Sequence, residues 1–231
     1  MAGNDECLFK NMSPIGYSVV LPFTVFIARL YTILKLFWYN WKMQTNVFIF
    51  HGTEGYPEEN WFPWLKERLE TKGCKVFVPQ FPSPPVVPSK ISEWFLVLKN
   101  YEEYINEDTI IVAHSLGGKF ALRVLEKLKY PVKAVFFVAT PVGIQPILNN
   151  ERDNAFTNND FDWANIKNKA KNFFVFHSDN DPYVSLGNGE ELAKKLGVNL
   201  TFIPNAGHFN AVAGYLSFPQ LLEKVEAILA N

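Results

Sequence analysis

From Val47 onward the chain alternates short apolar runs with longer stretches of helical period. The runs are "VFIF" (47–50), "KVFVPQF" (75–81), "TIIVAH" (109–114), "KAVFFVAT" (133–140), "NFFVFHS" (172–178) and "NLTFIPN" (199–205). Most are apolar on successive residues rather than on every second one. That pattern marks strands buried on both faces, as in a parallel sheet covered by helices.

Amphipathic segments lie between the runs. In "WFPWLKERLETKG" (61–73), Trp61, Leu65 and Leu69 share one helical face and Gly73 is placed to end the helix. "ISEWFLVLKNYEEYI" (91–105) follows the Pro-rich stretch 82–89, whose prolines forbid regular pairing. "GKFALRVLEKLKY" (118–130), "GEELAKKLG" (189–197) and "FPQLLEKVEAILA" (218–230) complete the set. Strand and helix alternating in this way predict a six-stranded, mostly parallel α/β sheet with helices on both faces. The rhythm lapses over 144–171, an Asn- and Asp-rich stretch that reads either as a lid or as a solvated connection.

The first 42 residues do not fit this rhythm. No charge occurs from Asn11 to Ala28, but Pro14, Gly16 and Pro22 interrupt the apolar run and Arg29 and Lys35 break its second half. A membrane span wants about 20 mostly apolar residues. The segment reads as a membrane-associating helix, as an extra piece folded on the domain, or as sequence upstream of a natural start at Met43. Domains are expected at 1–42 (apolar extension) and 43–231 (the α/β domain). Membrane contact is expected, if anywhere, through residues 11–41. The protein is otherwise expected to be cytoplasmic.

Composition narrows the classes. At 231 residues, with 48% apolar and 19% charged residues, the chain can bury one sizeable core. A net charge of −1 without a concentrated Lys/Arg patch argues against a nucleic-acid partner. Two cysteines make no disulfide framework, and four histidines without ligand spacing predict no metal site.

The chemistry enters at "IIVAHSLGG" (110–118). Ser115 stands between a predicted strand and a predicted helix, at the carboxyl end where open α/β sheets bind ligands. A sharp turn there needs small flanking residues, which Ala113 and Gly117 supply; the string is G-x-S-x-G with alanine in the first place. A serine that caps a helix beside a glycine turn is the plain alternative. A nucleophilic serine needs a base and an orienting acid, in the chain order Ser, Asp, His. Asp181, in the loop after one strand, and His208, in the loop after the next, sit one crossover apart and so at one rim. Asp179 is the rival acid. Oxyanion donors are expected from the backbone amides of Thr53, in "FIFHGTEG" (48–55), and of Leu116.

Together these residues make the chain resemble the α/β-hydrolase superfamily, and within it the small serine hydrolases of the retinoblastoma-binding-protein-nine/YdeN family. The resemblance rests on "VFIFHGTEGYPEENWFPWL", "IIVAHSLGG", "HSDNDPYVS" and "NAGHFN" and covers about residues 43–231. It implies a compact sheet without a large cap domain, a Ser115–Asp181–His208 triad, and hydrolysis of small esters, thioesters or amides. Binding to a retinoblastoma-type pocket uses L-x-C-x-E. Cys74 lies in "KGCKV" and Cys7 in "DECLF", so that partner is not expected.

The expected activity is therefore cofactor-free ester hydrolysis through an acyl-enzyme. An amidase or peptidase and a non-catalytic interaction module are the rivals. Trp61, Phe62, Phe156, Phe161, Trp163 and Tyr183 are candidates to line an acyl pocket, with core packing as the competing reading; Trp61, Phe156, Trp163 and Tyr183 are taken as substrate-binding.

Overall fold

The computed structural model describes residues 25–32, 34–35, 44–82, 90–147 and 160–230. The chain divides into two units, Met1–Met43 and Gln44–Asn231. In the first, residues 25–32 and 34–35 are helical and bear exposed Phe26, Leu30 and Leu34. Among the described residues no helix is long and apolar enough to cross a membrane. The rest of the apolar extension, the Pro-rich residues 83–89, and residues 148–159 of the lid-or-connection stretch, Phe156 included, lie outside the described residues.

The second unit is built on six strands: β1 (Asn46–Phe50), β2 (Lys75–Phe77), β3 (Ile110–His114), β4 (Ala134–Val138), β5 (Phe173–His177) and β6 (Leu200–Phe202). All neighbours are parallel, in the order β2-β1-β3-β4-β5-β6. The uniformly apolar runs have the cause inferred from them, because β1, β3 and β4 are buried along their whole length. The helices are α1 (Phe62–Glu70), α2 (Ile91–Lys99), α3 (Leu116–Lys127), α4 (Trp163–Ile166), α5 (Leu186–Leu196) and α6 (Pro219–Leu229).

Side-chain alternation along each strand sorts two cores. Phe48, Phe50, Ile111, Val135 and Phe137 face one way, against Trp94 of α2, Phe120 and Leu125 of α3 and Leu192 of α5. Val47, Ile49, Val112, Phe136 and Val138 face the other way, against Phe62 and Leu65 of α1 and Leu221 and Val225 of α6. Rings dominate the first core: Phe81 stacks on Trp94 at 4.4 Å between centroids, and Phe120 sets its edge against both. The result is a sheet between two helical layers, with every strand's carboxyl end at one rim.

Several boundaries differ from the sequence expectation. The helix expected over 91–105 stops at Lys99, and a short 3-10 turn, Glu102–Tyr104, follows. The edge strands β2 and β6 are three residues long, because an edge has a partner on one side only. Helix α5 begins at Leu186 rather than Gly189. Gly189 is a packing position, since a Cβ there would stand 2.6 Å from Cβ of His177. Of the stretch 144–171, Ile147 makes an antiparallel bridge to Val184, and Asp160–Ile166 docks on α3 through Arg123 and Glu126.

Candidate active site

The elbow is built by close approach. Ser115 has φ 54° and ψ −125°, a conformation that L-residues rarely hold and that costs roughly 1–3 kcal/mol. Its amide donates to the Val138 carbonyl at 2.9 Å, which extends the β3–β4 pairing past the strand's end. Helix α3 starts at Leu116, earlier than its apolar period suggests, because the turn leaves no spacer. A Cβ on Gly117 would lie 2.5 Å from the carbonyl oxygens of both Phe50 and His51. A Cβ on Gly52 would lie 2.8 Å from Cβ of Ser115. The first loop and the serine turn are therefore in direct contact, and only glycine fits.

His51 fixes that first loop. Its Nε2 accepts from the Phe81 amide at 2.9 Å, so Nδ1 carries the proton and donates to the Gly52 carbonyl at 2.9 Å. Burial holds its pKa down at about 4, against the raising effect of the Gly52 bond. The Gly55 amide closes the turn onto the same Gly52 carbonyl, and Glu54 takes a positive φ of 57° to allow it.

The acid loop and the base loop are laced together. Asp179 Oδ1 accepts from the Asn205 amide at 2.8 Å, Ser178 Oγ from the Ala206 amide at 3.1 Å, and Asn180 Oδ1 from the Gly207 amide at 2.7 Å. Asp179 is thus engaged in bracing the backbone. Asp181 alone reaches His208: Oδ2 accepts from His208 Nδ1–H at 2.7 Å, while Oδ1 accepts from the amides of Tyr183 and Val184 at 2.8 and 3.0 Å. Burial pushes the Asp181 carboxyl up. The His208 bond, the His208 charge and the two amides outweigh it and hold the carboxyl below its usual range. With Nδ1 donating, the lone pair of His208 is on Nε2.

His114, the last residue of β3, is buried. Its Nε2 donates to the His208 carbonyl at 2.8 Å, and the two rings lie 4.8 Å apart. Burial and the neighbouring His208 charge lower its pKa to about 3, so the ring is neutral. The residue that fixes the base loop from below thus immediately precedes the serine.

A cleft of about 510 Å³ opens over these groups, and Gly52, Thr53, Ser115, Leu116, Tyr183 and His208 all line it. Ser115, His208, Thr53 and Leu116 thus share one cavity, and Asp181 stands behind it at 2.7 Å from His208. The aromatic expectation needs correction. Tyr183 lines the cleft and sets its ring edge 5.0 Å from His208. Trp61 does not: it is fully buried, and its indole N–H donates to the Phe209 carbonyl at 2.9 Å. Trp163 packs against Phe161 on α4, away from the cleft, and Phe161 lies beneath Arg123 at 4.2 Å. Phe62 belongs to the core under the sheet. Indole and phenyl groups satisfy the interior as well as a pocket, so residue type alone did not separate them.

The sequence also left Glu59 unmarked. It is a partly buried carboxyl on the cleft wall, and desolvation raises its pKa to about 7 against the lowering bond from Tyr56. Its signal was present only as one of two adjacent acids in "GYPEENW" (55–61).

A parallel sheet carrying a strained serine elbow at its carboxyl rim is the architecture of the α/β-hydrolases. The chain belongs to the serine hydrolase family, which it matches over residues 47–227. It is 31% identical to YdeN of Bacillus subtilis (strain 168) over 179 residues, covering 77% of this chain and 92% of that protein. It is 26% identical to the serine hydrolase RBBP9 of Rattus norvegicus over 171 residues, 73% of this chain and 86% of that one. The crystal structure of the ydeN gene product superposes with a TM-score of 0.74 at 27% identity, over 81% of this chain and all of the other. Est1E from Butyrivibrio proteoclasticus, at 15% identity and a TM-score of 0.60 over 81% of this chain and 89% of its own, shares the fold.

Proposed function

We propose that this serine hydrolase cleaves small esters, thioesters included, through an acyl-enzyme. Ser115 Oγ attacks the carbonyl carbon as its proton passes to His208 Nε2, and Asp181 holds the imidazole in the tautomer that can accept it. The amides of Thr53 and Leu116 receive the oxyanion. Collapse expels the alcohol, which takes the proton back from His208, and water then repeats the sequence to release the acid. The observation that carries this reading is the 2.7 Å bond to Asp181 from His208, which lines the same cleft as Ser115.

Fluorophosphonate labelling tests it. The folded wild type is expected to label, and Ser115→Ala is expected not to. Labelling that persists in Ser115→Ala, or a folded wild type that does not label, overturns the assignment. A paired ester and anilide substrate then separates esterase from amidase, with ester turnover expected to dominate.

A further inference from the structure

The mouth of the cleft carries apolar side chains that the fold leaves in solvent. Val212 is 91% exposed, Leu216 65%, Tyr56 50% and Tyr183 37%, and all four line the cavity that holds Ser115 and His208. Val212 and Leu216 come from one stretch, 210–216, which begins directly after His208 and Phe209.

That stretch is fixed, not frayed. The Ala213 amide donates to both the carbonyl and Oδ1 of Asn210 at 3.0 Å, and the Tyr215 amide donates to the Asn210 carbonyl at 2.9 Å. The Ala211 amide donates across to Oδ1 of Asn60 at 2.8 Å, which ties the stretch to the loop after β1. The Tyr215 ring anchors it underneath, 5.1 Å from the rings of both Phe209 and Phe218. A valine and a leucine are thus held out by backbone bonds at the cleft that Ser115 and His208 also line. Folding gains nothing from that arrangement, whereas a ligand that covers them gains the burial of their surface without ordering a loop.

We infer that residues 210–216 form a preformed apolar lip that receives the aliphatic alcohol portion of an ester, with Val212 and Leu216 as its specificity-determining residues. This rests on the ester-hydrolase reading above. The assignment to the alcohol follows from the proton's path. His208 must hand its proton to the leaving oxygen, so the alcohol stands on His208's side of the cleft, and the lip continues from the His208 loop. Each methylene fully removed from water is worth roughly fourfold in the specificity constant, and an open lip covers only part of each.

Two substrate series sharing ethyl acetate test this: ethyl, butyl and octyl acetate, and ethyl acetate, butyrate and octanoate, followed by pH-stat. The wild type is expected to gain about tenfold in kcat/KM from ethyl to octyl acetate. The double variant Val212→Ser, Leu216→Ser is expected to lose most of that gain while keeping the wild-type dependence along the acyl series. Both side chains are exposed, and an unchanged thermal midpoint checks that the variant folds. An alcohol dependence that the variant retains, or a flat one in the wild type, overturns the lip. So does a variant that loses discrimination along the acyl series instead. A wild type that hydrolyses no ester in either series overturns the ester-hydrolase reading, and the lip with it.

Discussion

Asp181 divides its carboxylate between two tasks: Oδ2 accepts a hydrogen bond from His208 Nδ1–H at 2.7 Å, and Oδ1 accepts from the amides of Tyr183 and Val184. Asp181→Asn keeps an oxygen for the two amides and can offer an amide group where the imidazole needs an acceptor. The thermal midpoint is therefore expected to stay within a few degrees of wild type. The kcat for an ester is expected to fall about 10³- to 10⁴-fold, as when a triad imidazole is left in the wrong tautomer. Steady-state kinetics alongside a melt tests both; a loss of less than tenfold would remove Asp181 from the mechanism.

The strain at Ser115 yields a second expectation. Its φ of 54° is a conformation that glycine adopts freely. Ser115→Gly is expected to abolish activity and to raise unfolding stability by about 1 kcal/mol, whereas Ser115→Ala abolishes activity without that gain. Urea titrations of the two variants measure the difference. Equal midpoints would mean that the turn is relaxed.

Gly117 is expected to be the least replaceable position of the elbow. A methyl there meets two backbone carbonyl oxygens at 2.5 Å, and backbone cannot swing aside as a side chain can. Gly117→Ala is expected to cost more than about 3 kcal/mol and to lower the melting temperature by at least 10 °C or prevent soluble expression. A soluble variant melting within a few degrees of wild type would contradict the packing.

The buried histidines set the pH response. Unfolded, each takes a proton near pH 6.5. Folded, burial holds His51 neutral down to about 4 and His114 down to about 3, and it lowers His177 as well. Below 6.5 the unfolded chain binds more protons, so the stability these groups contribute above 6.5 is lost as the pH falls. Glu59 works in the opposite sense: raised from 4.5 to about 7, it favours the folded state below 4.5 and loses that contribution as the pH rises through 7. Three histidines outweigh one carboxyl, so stability is expected to drop by about 2 kcal/mol between pH 7 and pH 5. Glu59→Gln is expected to be more stable than wild type at pH 8 and no more stable at pH 4.5. Urea midpoints at the four pH values decide it; a wild type equally stable at pH 5 and 7 would show that the histidines are not held neutral.

Much of this was legible in the chain. The central strands announced themselves because a strand buried on both faces has no polar positions to hide, as "VFIF" and "AVFFV" show. The serine turn was legible because Ala113 and Gly117 are a local steric requirement. Asp181 and His208 could be placed because each follows its strand at a fixed topological point. What escaped was long-range. The Trp61 indole finds its acceptor 148 residues away and His114 finds its own 94 residues away, and no window of sequence contains both partners. The exposure of Val212 escaped for a related reason: only the hydrogen bonds of Asn210 and Asn60 decide that the residue faces outward.

The strand order also bears on how the chain is made. After β1 and β2 the sheet grows outward in the order of synthesis, β3 beside β1, then β4, β5 and β6, so each new strand emerges to find its neighbour already in place. The serine turn is complete once β4 supplies the Val138 carbonyl to its amide. The imidazole follows only after β6. A nascent chain thus carries its proposed nucleophile through the 93 residues that separate Ser115 from His208 without the proposed base, and hydrolytic competence is expected only once the loop after β6 has formed.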